Sequence, residues 1–206
     1  LVSYKLSTLN SGTSKNMKMQ NNQRLNFDEG ITIPNNTTYT TPYWLNKKST
    51  LGMYHVDNQD LIGRPETPRA VFVDFNLNIE GTPITFTKPV IYRYSEPDKG
   101  ELYRPFEIIP EVSASISDKV FIFDNDQQKE IEVTVKAGRD AIEGYVQMAY
   151  PNDWSVFPQK QKIEIVNKGD VQKVVFTVIP PKNQSEGLIT PMVNINDNFY
   201  TDELIE

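Results

Sequence analysis

The sequence predicts an all-β protein of two tandem sandwich domains, residues 1–108 and 111–206. Three observations carry this expectation. Apolar residues alternate with polar ones at a period of two over most of the chain, which places one face of each segment inward as a pleated strand requires. Turn-forming residues recur at short spacing between these runs, and helix-period patterns hardly occur. A proline-bracketed stretch, Glu101 to Pro110 (ELYRPFEIIP), then interrupts the alternation with Pro105 and Pro110, and a linker belongs there.

In chain order, strands are expected at Val2–Leu6 and Leu25–Ile33, separated by the polar run Asn10–Gln23 and followed by a second polar run, Pro34–Thr41. Val71, Val73, Phe75, Leu77 and Ile79 alternate with polar positions, with Phe72 the exception. Glu80-Gly81 turns the chain, Ile84 and Phe86 resume the pattern, and Val90, Tyr92 and Tyr94 make the next strand after Pro89. Pro83 and Pro89 point to edges or strand ends, because proline has no N–H to give a ladder.

Beyond Pro110 the expected strands are Val112–Ile116, Lys119–Phe123, Ile131–Val135, Gly144–Tyr150, a segment around Trp154, Lys162–Val166, Val171–Ile179, Gly187–Ile195 and Phe199–Ile205. A turn at Asn167 to Asp170 precedes Val171–Ile179, which Pro180 and Pro181 stop; Asn196-Asp197-Asn198 is a tight hairpin signal. So many short strands in under 100 residues describe an immunoglobulin-like sandwich.

Composition narrows the function. The 206 residues are 38% hydrophobic and carry a net charge of -6. Residues 111–206 hold 9 Lys and Arg against 16 Asp and Glu, and residues 1–110 hold 12 against 11. No basic stripe offers itself to phosphates, so nucleic acid is not an expected partner. No apolar run is long enough for a membrane span, so membrane insertion is not expected either. The chain has no Cys, hence no thiolate metal site or disulfide framework. It begins at Leu1 rather than Met, and is expected to be an internal piece of a longer protein whose first domain could lack its opening strands, the alternative being a chain from which a signal has been removed.

Candidate sites are few. His55 is the one histidine and sits in a sequence resembling a strand running into a turn, so it is expected on the surface. Asp57-Asn58-Gln59-Asp60 and Asp124-Asn125-Asp126 could offer oxygen ligands to calcium, but lack the glycine and glutamate spacing of an EF-hand loop and read as self-capping turns. Tyr39, Tyr43, Trp44, Tyr54, Tyr92, Tyr94 and Tyr103 could present flat faces to a sugar, with Tyr43, Trp44 and Tyr103 the candidate carbohydrate-binding set. Trp154 is expected mostly buried, in or beside the second core. No phosphate loop or nucleophile elbow is present, and no catalytic residue, metal ligand or cofactor is assigned.

From Ala149, AYPNDWSVFPQKQKIEIVNKGDVQKVVFTVIPPKNQSEG resembles the NEW-type, NPCBM-associated immunoglobulin-like domain through Pro151, Trp154, Pro158, Gly169, Val174, Phe176, Val178 and Pro181. Upstream, PYWLNKKSTLGMYHVDNQDLIGRPETPRAVFVDFNLNIEGTPITF and PVIYRYSEPDKGELYRPFEIIPEV resemble the region after the catalytic domain in Bacteroidetes PIG-L (LmbE-like) deacetylases. That family's zinc-binding His-Pro-Asp-Asp stretch is missing, so no catalytic role carries over. The resemblance implies a non-catalytic accessory region of a periplasmic or extracellular N-acetyl-sugar deacetylase, with the catalytic domain of the same parent chain as partner. A carbohydrate-binding module, with a glycan as partner, and a surface adhesin ectodomain are the alternatives.

Overall fold

A computed structural model describes residues 2–6, 17–28, 30–34 and 36–204. The expected loop residues 10–16, Asn35 and the end of the last expected strand at Ile205 lie outside the described residues. The protein is all-β, and it divides into two compact units, Leu1–Ile108 and Ile109–Glu206.

The second unit is a sandwich of two four-stranded antiparallel sheets. Its strands are β6 (Val112–Ile116), β7 (Lys129–Ala137), β8 (Ile142–Ala149), β9 (Ser155–Phe157), β10 (Gln161–Ile165), β11 (Val171–Ile179), β12 (Thr190–Ile195) and β13 (Asn198–Tyr200). One sheet has the order β6-β7-β11-β9 and the other β10-β8-β12-β13. After β7 the chain changes sheet at every connection until β12, and only β6–β7 and β12–β13 pair as chain neighbours. Immunoglobulin domains pair their second and fifth strands in one sheet and their third and sixth in the other; here, counting from β6, the second pairs with the sixth (β7–β11) and the third with the seventh (β8–β12). Here the short strand that flanks β11 precedes the one that flanks β8.

The core follows from the alternation. Ile131, Val133, Val135 and Ala137 of β7, Val174, Phe176 and Val178 of β11, and Ile142, Val146 and Met148 of β8 are all buried. Val156, Ile163, Ile165, Val193 and Ile195 complete the packing between the layers. Ser113 is the one polar side chain buried among the described residues. Outward positions carry cross-strand ion pairs, Lys173 to Glu132 at 2.7 Å and Lys162 to Glu143 at 3.1 Å.

Two of the four edge strands have outward backbone groups engaged. The Ala114 N–H donates to the Asp202 carbonyl at 3.2 Å, so β6 is flanked by β7 on one side and by the chain after β13 on the other. On β10, the Glu164 N–H donates to Gln172 Oε1 of the opposite sheet at 2.9 Å. These two N–H groups, which could otherwise help template another strand, are satisfied within the chain. At one end the Lys168 N–H donates to Asp140 Oδ1 at 2.7 Å and the Ala141 N–H to the Val166 carbonyl at 2.9 Å, tying the β7–β8 loop to the β10–β11 turn.

Where a first sandwich is expected, the described residues of the first unit form two small sheets. β1 (Val2–Leu6), β2 (Phe72–Ile79) and β3 (Thr82–Pro89) make one; β4 (Ile91–Glu96) and β5 (Gly100–Pro105) make a hairpin. The Glu80-Gly81 turn has φ of 51° and 86°, the left-handed pair that a two-residue hairpin needs. On β2–β3, Phe75 faces Phe86 and Leu77 faces Ile84, while Thr85 and Thr87 donate to Asn76 and Asp74 on the other face. Val71 and Ile108 are its only buried apolar side chains among the described residues.

Two expected strands are not strands. Lys119–Phe123 and the described part of Leu25–Ile33 carry no ladder. Both keep alternate burial: Phe121 and Phe123 are half-buried between exposed Val120 and Ile122, and Leu25 and Phe27 are half-buried between exposed Arg24, Asn26 and Asp28. A buried face is satisfied by packing alone, whereas a strand also needs a neighbour with free backbone groups.

Candidate functional site

Tyr43, Trp44 and Tyr103 are placed by two separate local structures. Pro42, with φ of -52°, starts a single 3-10 turn over Tyr43–Leu45. The Tyr43 N–H donates to Thr67 Oγ1 and its hydroxyl to the Arg64 carbonyl, both at 3.1 Å, and the Trp44 ring meets Tyr43 edge to face at 4.9 Å. Both rings are half-buried, and their perpendicular contact sets an edge of one against a face of the other.

Tyr103 lies on β5 opposite Arg93 of β4, and its hydroxyl donates to Glu101 on the same hairpin face. That hydrogen bond raises the Tyr103 pKa above its ordinary value, since it favours the protonated phenol. Tyr92 and Tyr94 stack at 5.6 Å on the opposite face, where the Arg104 guanidinium lies 5.2 Å from the Tyr94 ring. Thus Tyr43 and Trp44 are brought together, while Tyr103 is engaged with Glu101 and Arg93.

His55 is exposed. The two acidic loops behave as self-capping turns: Asn58 Oδ1 accepts from the Asp60 N–H at 3.0 Å and Asn125 Oδ1 from the Gln127 N–H at 2.9 Å. Asp57 pairs with Lys47 at 2.7 Å. Among the described residues, no three His, Asp or Glu side chains gather where they could hold a metal ion.

The feature that sequence reasoning missed lies in the second unit. An open cleft of about 1010 Å³ runs between the β6–β7 connection and the β11–β12 connection, with Trp154 among its lining residues. Trp154 is mostly buried, as expected, with only a minor part of its surface exposed. It packs against the core, stands just ahead of the edge strand β9 and is one of the residues that line the cleft. Its Nε1–H donates to Ser185 Oγ at 3.2 Å, Ser185 donates to Asp153 Oδ2 at 3.1 Å, and Phe123 meets the ring edge to face at 5.1 Å. The signals were two polar loops, Asp124 to Gln128 and Lys182 to Gly187; that they flank one tryptophan follows from topology alone.

The chain matches no protein-family model, and no curated protein is significantly similar to it.

Proposed function

We propose that this chain is a non-catalytic accessory β-sandwich region of a secreted or periplasmic PIG-L-type N-acetyl-sugar deacetylase, where it spaces or orients the catalytic domain. The observation that carries the reading is where the polar chemistry sits. Ser113 is the one buried polar side chain among the described residues, and Tyr103 and Lys162 owe their pKa shifts chiefly to exposed neighbours. Hydrolytic centres instead gather desolvated, strongly perturbed groups around a cleft.

The test has two arms. The chain alone, incubated with zinc and an N-acetylglucosamine oligomer, is expected to release no acetate above background; release abolished by His55→Ala would overturn the reading. Joined to the catalytic domain, the region is expected to raise its melting temperature or its turnover of polymeric substrate, and no change in either also counts against it. The second reading, a carbohydrate-binding module, draws its support from the cleft beside Trp154.

A further inference from the structure

We propose that the cleft beside Trp154 is a binding site for a neutral oligosaccharide, a role independent of the accessory function. Three observations point there. The Trp154 ring is held before any ligand arrives, by its indole hydrogen bond to Ser185 and by its perpendicular contact with Phe123, so binding need not freeze a loose side chain. A partly exposed indole offers the flat apolar surface on which the C–H face of a pyranose can lie.

The second observation is the rim. The side chains of Asp124, Asp126, Asn183, Gln184 and Glu186 line the cleft and make no hydrogen bond or ion pair with another described residue. Other charged side chains of this unit are paired, Arg139 with Glu111 at 2.7 Å and, within the cleft lining itself, Lys119 with Glu203 at 2.6 Å. Carboxylates accept and amides both donate and accept, which suits vicinal hydroxyl groups. Apolar floor with convergent polar groups is the general anatomy of a small-ligand site.

The third is charge and backbone. Three uncommitted acids against one uncommitted lysine, Lys182, disfavour uronate or sulfated chains by like-charge repulsion. The cleft is lined by loop residues except Ile116 at the end of β6, which leaves a peptide little strand edge to extend.

Affinity electrophoresis and calorimetry with soluble glucan, xylan, mannan and chitin hexamers, alongside a heparin hexasaccharide and an unstructured polypeptide, test the proposal. At least one neutral oligomer is expected to bind and the heparin fragment to fail. Trp154→Ala should abolish binding. Because that change can disturb the core, the double variant Asn183→Ala/Gln184→Ala serves beside it: its melting temperature should stay unchanged and its affinity fall about tenfold, as loss of two ligand hydrogen bonds implies. Silence with every neutral oligomer, binding that both variants leave intact, or preference for the polypeptide would each overturn the assignment.

Discussion

Gly144 and Asn194 approach so closely that a Cβ on Gly144 would stand 2.2 Å from the Asn194 carbonyl oxygen. Gly144 occupies the inward position of β8 between Ile142 and Val146, where the alternation calls for an apolar side chain. Gly144→Ala is therefore expected to push β8 from β12 and to destabilise the unit by about 1–3 kcal/mol, the usual range for overpacking. A urea midpoint equal to that of the parent chain would show that the strands part freely.

Phe176 is fully buried in the second unit, whereas Phe86 on β3 is 49% exposed. Phe176→Ala should cost about 3–5 kcal/mol, as aromatic truncation in a core does. Phe86→Ala should cost well below about 1 kcal/mol, in keeping with surface substitutions. Comparable losses from the two variants, measured by denaturation, would contradict the placement of the core between β7, β8, β11 and β12.

Ala141 has φ of 53°, a left-handed conformation that costs a residue with a Cβ about 1–2 kcal/mol. Its backbone N–H holds the Val166 carbonyl, and glycine would keep that bond. Ala141→Gly is expected to stabilise the unit by up to about 1 kcal/mol, the relief exceeding glycine's greater loss of chain entropy. Thermal unfolding decides the sign.

The hydrogen bond from Tyr103 to Glu101 holds the phenol's pKa above the ordinary 10.0. A raised value means that the folded state favours the protonated form. The contribution to stability is complete below pH 10 or so and is lost as pH rises through the folded-state value. Glu101→Gln should move the titration, followed by the ultraviolet absorbance of tyrosinate, back toward lower pH. An unmoved curve would place the cause elsewhere.

How far the sequence speaks for itself differs between elements. Val112–Ile116 and Val171–Ile179 fold as strands with the expected bounds, because each alternates apolar and polar residues and finds a ladder partner in β7. Asn196 and Asp197 take φ of 49° and 63° in the β12–β13 turn, as residues tolerant of positive φ should. Lys119–Phe123 alternates equally well, yet β6 is already flanked by β7 and by Asp202, so no free ladder awaits it. Periodicity reports burial, and pairing depends on what else has reached the edge first. Among the candidate site residues, Tyr43 and Trp44 were neighbours by sequence. The meeting of Trp154 with Ser185 was hidden, because 31 positions and two sheet crossings separate them.

The alternation of the chain between layers after β7 has a kinetic side. With only two ladders formed between consecutive strands, neither sheet can grow as a local meander; the central β7–β11 and β8–β12 ladders each close a long loop before any contact rewards it. Topologies of such high contact order collapse late and together, and they fold on the scale of milliseconds to seconds. Stopped-flow refolding of this unit should accordingly trace a single slow V-shaped dependence on denaturant, both layers registering at once.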